Sequence, residues 1–130
     1  MAASDDIGAR LERQLMSHGV YVERYVREGE TLHVEYETAA AGLTKGDIGS
    51  VCAELREAAD AGWDPSDCQF WVFDTNGGFC GDWRVRAGWF RALERGDISE
   101  TDFSTLVLST REPAAEPPAE RPAFGGGKAH

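Results

Sequence analysis

Lysine is nearly missing from this sequence. Lys45 and Lys128 are the only two, although there are 13 basic and 23 acidic residues and the formal net charge is −10. A surface rich in carboxylates suits molar salt, because carboxylates retain hydration water and dissolved ions screen their mutual repulsion. The composition therefore predicts a halophilic protein. An ordinary acidic protein from a GC-rich genome is the alternative that it leaves open.

Long apolar segments are missing too. No run is long enough to span a bilayer, and the chain does not start with the charged and apolar regions of a secretory signal. We therefore expect a cytoplasmic protein that does not contact a membrane. The three cysteines are odd in number and none has Cys-x-x-Cys spacing, so in a reducing cytosol they should be free thiols.

Motifs for catalysis, metal binding and nucleotide binding are the third absence. There is no Gly-x-Ser-x-Gly elbow, and the glycines at 77, 78 and 81 belong to a hairpin instead of a phosphate loop. The candidate metal ligands are His18, His33, His130, Cys52, Cys68 and Cys80. They lack the close pairing of zinc sites, and His33 is most simply a solvated strand residue. We predict no catalytic residue, no metal site and no cofactor.

Capping patterns and helical stripes predict four helices. The predicted segments are Asp5–His18, Thr44 to Gly62, Trp89 to Gly96, and one that begins at Ser99. The second and fourth begin with Thr-x-x-Asp and Ser-x-x-Asp capping patterns. The fourth segment is ambiguous, because residues 105–110 also suit a strand.

The first predicted hairpin joins residues 20–26 to residues 31–38, and the second of these runs alternates apolar and polar residues. A two-residue turn would place Glu23 on the buried face. We therefore predict a three-residue loop centred on Gly29. That register pairs Val22 with Tyr36 and Val26 with Leu32.

The second predicted hairpin turns at Asn76-Gly77, the preferred pair for a type I′ turn. The register that follows pairs Phe70 with Trp83 and Phe73 with Cys80. Phe70 and Trp83 then suit the core. Trp71 and Phe73 project from the other face, beside Cys80 and Arg84.

The order of elements is helix, hairpin, helix, hairpin, helix, helix. It predicts an α+β fold with a four-stranded antiparallel sheet packed on helices that lie mainly on one face. Residues 1–111 form one acidic domain in this interpretation. Residues 112–130, rich in Pro, Ala, Glu and Gly, form a disordered tail that should be removable without loss of stability.

Five short segments carry a family resemblance: Val34–Thr38, Gly62–Pro65, Gly81–Val85, Gly96–Ser99 and Val107–Thr110. Together they resemble a family of small acidic haloarchaeal proteins of unknown function, over roughly residues 5 to 110. The resemblance implies a haloarchaeal origin. It implies no activity, substrate or cofactor, and no functional residue can be carried over.

The feature that most needs a functional explanation is the pair Trp71 and Phe73, because a two-layer fold would leave their face open to water. The C-terminal helices could cover it, a second copy or another protein could, or a nucleic-acid base could stack on it. We predict an interaction surface formed by Trp71, Phe73, Arg84 and Arg86. The expected function is a non-catalytic protein-interaction module, a homodimer or an adaptor.

A single-stranded nucleic-acid binder using the same face is the alternative, since aromatic side chains beside arginines hold single strands. It is disfavoured by Asp82, Glu94 and Asp97 in the same stretch and by the overall charge. An enzyme ranks third among the function classes.

Overall fold

One five-stranded sheet with helices on one face organises the chain. The computed structural model describes residues 3–40 and 42–118. Its elements are α1 (Ala3–Leu15), a 3-10 turn (Met16–His18), β1 (Val20–Glu28), β2 (Thr31–Thr38), α2 (Lys45–Asp60), β3 (Asp67–Asp74), β4 (Phe79–Val85), α3 (Ala87–Arg95), α4 (Glu100–Leu108) and β5 (Glu112–Pro113). Residues 100–108 are thus helical, and the strand alternative for this segment is wrong.

The sheet is mixed, with the order β1-β2-β3-β4-β5 and a parallel pairing of β2 with β3. The predicted architecture, two helix–hairpin units forming a four-stranded antiparallel sheet, is therefore wrong. The reason is the length of α2. Its 16 residues rise about 24 Å, which returns the chain along the full length of β2 before β3 begins. A helical crossover of this kind makes the two strands parallel.

The first hairpin has a two-residue turn that pairs Glu28 with Thr31, so the predicted three-residue loop is wrong. Val26 pairs with His33 instead of Leu32, whereas the predicted pairing of Val22 with Tyr36 is confirmed. A register shift between Val22 and Arg24 reconciles the two ends. The extra residue at this bulge is Glu23. Because of the bulge, the two-residue turn forms without placing Glu23 on the buried face, which is the consequence that the sequence argument had expected.

The second hairpin pairs Phe70 with Trp83 as predicted, but Phe73 pairs with Phe79 instead of Cys80. The turn is wider than predicted because Asp74 Oδ1 accepts hydrogen bonds from the N–H groups of Asn76 and Gly78, at 2.9 and 2.8 Å. A register shift after Val72 compensates for the extra turn residue. It brings Cys80 into contact with the helix-side core, so Cys80 does not lie beside Phe73 as predicted.

The main core lies between the sheet and the four helices. Each helix contributes buried side chains to it, including Leu11, Leu55, Phe90 and Phe103. At its centre Trp83, which is completely buried, stacks on Phe70 with ring centroids 4.3 Å apart. Its indole Nε1 donates a hydrogen bond to the Tyr36 hydroxyl at 2.9 Å, and burial raises the pKa of that phenol above its ordinary value. This bond ties β4 to β2 across the width of β3.

A second buried contact attaches α2 to the end of β2. The Thr38 hydroxyl donates to Asp47 Oδ2, and Thr38 and Asp47 are both buried. The Thr44 side chain accepts from the backbone N–H of Asp47 at 3.2 Å, which confirms the predicted cap of this helix. The start of the crossover is thereby held against the strand that it leaves.

The predicted tail begins at Glu112, which together with Pro113 pairs with Gly81 and Asp82 of β4. Gly81 permits this approach, because its φ is +140° and a Cβ there would lie 2.4 Å from the Glu112 carbonyl oxygen. Residues 119–130 of the predicted tail lie outside the described residues. No helix in the described part of the chain is both long and apolar enough to cross a membrane.

Tyr36→Phe should lower the free energy of unfolding by about 1–3 kcal/mol, because it leaves the buried Trp83 indole N–H without its acceptor. Urea unfolding measures the change in the free energy of unfolding, and the m value should stay the same. Tyr21→Phe is the matched control: Tyr21 is 38% exposed, and its hydroxyl should contribute less than about 0.5 kcal/mol. Equal effects of the two substitutions would contradict the central role of this bond.

A chain that ends at residue 111 should melt about 4 °C or more below a chain that ends at residue 118. The shorter chain lacks β5 and the hydrogen bond from the Ala114 N–H to the Cys80 carbonyl, 3.1 Å long, and a bond of this kind contributes about 1 kcal/mol. Calorimetry of both chains makes the comparison. Identical melting temperatures would instead support a domain boundary at residue 111.

Candidate functional site

The sheet face that points away from the helices is the candidate site, and we call it the outer face. Its residues form three rows across β1 to β4: Tyr21–Glu37–Phe73–Phe79, Arg24–Glu35–Trp71–Asp82 and Val26–His33–Gln69–Arg84. They alternate along each strand with residues of the main core. The outer face therefore places aromatic, acidic and basic side chains side by side.

A second hydrophobic cluster lies on the outer face. Trp71 and Phe79 are buried, 6% and 9% exposed, and Val26 and Phe73 pack against them. The rings of Phe73 and Phe79 meet edge to face, with centroids 5.1 Å apart. The predicted exposure of Trp71 is therefore wrong, because neighbours within the sheet bury it from the sides.

The C-terminal helices do not cover this cluster. Phe90 of α3 and Phe103 and Val107 of α4 all belong to the main core on the opposite side of the sheet. No helical residue in the described ranges is part of the outer cluster. The expectation that the C-terminal helices could cover this face is therefore wrong.

His33 is held by two neighbours on the outer face. The indole Nε1 of Trp71 donates a hydrogen bond to His33 Nδ1 at 3.2 Å, and the two rings are nearly parallel, 12° apart. His33 Nε2 lies 3.6 Å from Glu28 Oε1. Burial lowers the pKa of His33, and the Glu28 carboxylate partly opposes that shift. The side chain is only 14% exposed, so the interpretation of His33 as a solvated residue is wrong.

Charged groups frame Trp71 on both sides of its row. Arg24 Nη2 lies 2.5 Å from Glu35 Oε1, and Glu35 is buried. On the other side, Gln69 Nε2 donates to Asp82 Oδ1 at 3.1 Å, and Arg84 Nε donates to Gln69 Oε1 at 3.2 Å. Burial raises the pKa of Asp82, against the lowering effect of the Gln69 bond. Arg84 is therefore hydrogen-bonded to a side-chain amide that belongs to the outer face itself.

Three of the four predicted site residues come together: Trp71, Phe73 and Arg84 share the outer face. Arg86 does not join them, since it lies beyond the end of β4 as the exposed N-cap residue of α3. Sequence reasoning missed Tyr21, Val26 and Phe79. Tyr21 could have been found from its alternation with Val20 and Val22. Val26 and Phe79 could not, because each depends on a register that the bulges shift.

Outside the outer face, the described residues offer few groups for catalysis or metal binding. Within residues 3–40 and 42–118, no three His, Cys, Asp or Glu side chains group as a metal site requires. Burial raises the pKa of the Cys52 and Cys68 thiols to about 12, so neither forms a thiolate readily. A groove at the start of α3 contains Arg27, whose Nε is buried without a partner among the described residues. In the same groove, the first N–H group of α3, that of Ala87, already donates a hydrogen bond to Asp67 Oδ1 at 2.8 Å.

Comparison with known proteins identifies the family of this chain. A family model described as a domain of unknown function (DUF8159) matches residues 1–117. No curated protein and no solved structure gives a match. The predicted resemblance to a family of unknown function is confirmed at that level. Because the match spans every helix and strand described above, the chain belongs to the DUF8159 family.

Proposed function

We propose that this chain is a non-catalytic interaction module of a halophile and that it self-associates through the outer face, with the cytoplasm as its expected location. One observation carries the proposal: Tyr21, 38% exposed, lies in the same cross-strand row as Phe73 and Phe79. Tyrosine and phenylalanine are enriched in protein interfaces, where their rings bury a large area. The rings of Tyr21, Phe73 and Phe79 would therefore form the apolar part of the contact.

The charge pattern of the outer face favours a second copy as the partner. Arg24 on β1 and Asp82 on β4 stand at opposite ends of one row. A two-fold axis parallel to the strands, lying between two facing sheets, would place Arg24 of one copy over Asp82 of the other. The same operation sets Tyr21 against Phe79. Such self-complementarity is what an isologous dimer requires.

The size of the outer face limits the strength of this contact. Four strands about 4.8 Å apart and three rows about 7 Å apart span roughly 400 Å² in projection. A stable interface usually buries about 800 Å² per partner. The dimer should therefore be weak, and its fraction should depend on protein concentration.

Single-stranded nucleic acid is a less suitable partner for this face. Asp82 lies beside Trp71 in its own row and would repel phosphates. Arg84, which lies on the same strand as Asp82, is already bonded to Gln69. The base-stacking alternative thus lacks the electrostatic support that such sites use.

Tyr21→Ser should weaken self-association at least tenfold, because it removes an exposed aromatic ring from the contact while sparing the core. Light scattering after size exclusion, over a range of protein concentrations in concentrated KCl, measures the molar mass. Met16→Ser is the matched control, since Met16 is 53% exposed but lies in the 3-10 turn outside the outer face.

A wild-type chain that stays monomeric at millimolar concentration would overturn self-association. So would a Tyr21→Ser chain that dimerises as the wild type does. Binding of a labelled single strand by the monomer, weakened by Arg84→Ala, would support the nucleic-acid alternative instead.

The halophilic part of the proposal predicts salt-dependent folding. A net charge of −10 on 130 residues destabilises the compact state unless ions screen it. Circular dichroism should show loss of structure as KCl falls well below molar. Full native structure at about 0.1 M salt, where charges still interact over about 10 Å, would contradict this part of the proposal.

A further inference from the structure

We propose that His33 is a pH-responsive latch on Trp71: one proton added at His33 Nδ1 removes the acceptor of the Trp71 indole N–H and loosens the aromatic cluster of the outer face. This device goes beyond the proposed function. All of its groups belong to one chain, so it would operate in a monomer as well as in a dimer.

The geometry of the hydrogen bond defines the two states. Trp71 Nε1 can only donate, so the bond of 3.2 Å requires an unprotonated Nδ1 on His33. A proton at Nδ1 would set two N–H groups against each other. Because Trp71 is 6% exposed, water cannot readily take over as acceptor. A buried indole N–H without an acceptor is unfavourable, and the ring should move to find one.

The nearby charges decide how easily His33 takes up that proton. On its own side of the sheet, β1 presents Glu28 and Arg24 and β2 presents Glu35, which Arg24 neutralises. On β3, the neighbours Gln69 and Trp71 do not titrate, and Asp67, two residues before Gln69, accepts a hydrogen bond from the Ala87 N–H. Asp82 and Arg84 lie one strand further away. The carboxylate of Glu28 lies 3.6 Å from His33 Nε2. It would retain the protonated ring while the Trp71 bond breaks.

The direction of the pH effect follows from burial. Burial lowers the pKa of His33 below 6.5, more than Glu28 raises it. As the pH falls through 6.5, the unfolded chain therefore binds the proton before the folded chain does. This difference reduces the stability of the fold in mildly acidic solution, and the loss levels off once the folded chain is protonated as well. The latch is therefore still closed at pH 6.5 and opens at a lower pH, where the folded chain itself takes up the proton.

The indole N–H signals of the four tryptophans, followed by two-dimensional NMR from pH 8 to pH 5, test the latch. The Trp71 signal, assigned with Trp71→Phe, should move upfield as its bond breaks, with a midpoint below 6.5 that matches the titration of the His33 ring. The Trp83 signal is the internal control, because its acceptor is the Tyr36 hydroxyl, which does not titrate in this range.

His33→Asn is the matched variant, since Asn Oδ1 stands where His Nδ1 stands and accepts a hydrogen bond without titrating in this range. In that variant the Trp71 signal should stay in place across the whole pH range. A Trp71 signal that does not move while His33 titrates would overturn the proposal. So would a movement of the same size in His33→Asn. The wild-type titration decides the question even if the variant fails to fold.

Discussion

The hydrogen bond from Trp83 to Tyr36 connects the central strands of the sheet through the main core. It joins β4 to β2 over the intervening β3, where Phe70 stacks on the Trp83 ring. Once Trp83 points into the main core, alternation along β4 forces Asp82 and Arg84 onto the outer face. The bond spans β3, so it stabilises the same strand order that the backbone pairings give to the outer rows. The core and the candidate site are therefore two sides of one set of pairings.

Local patterns predicted the helices and the central pairing of Phe70 with Trp83, because caps and apolar stripes act within a few residues. They did not predict the parallel contact of β2 and β3. Alternation tells which face a residue occupies but not which strand lies beside it, and the length of α2 decides that. Both bulges also escaped prediction. Each arises from one carboxylate: Glu23, which would otherwise face the core, and Asp74, which widens the turn.

At the candidate site, too, the contacts within one hairpin could be predicted and the contacts between distant strands could not. The sequence placed Trp71, Phe73 and Arg84 on one face correctly, since that needs only the second hairpin. The burial of Trp71 could not be predicted, because its neighbour His33 comes from β2 and Val26 from β1. Both reach Trp71 only through the parallel pairing. A ring that looked exposed in an isolated hairpin is thus an internal part of a wider surface, and the exposed aromatic residue is Tyr21 at its edge.

The bulge at Glu23 also bears on how copies of this chain can meet. β1 is a nine-residue strand at one edge of the sheet, and such an edge can template the addition of further strands. A bulge interrupts the regular spacing of its backbone donors and acceptors in the middle of the strand. Edge-to-edge addition of the head-to-tail kind does not close and leads to fibres, whereas a two-fold contact through a sheet face closes after two chains. The extra residue at Glu23 thus makes β1 a poorer template for a further strand, which disfavours open-ended polymerisation.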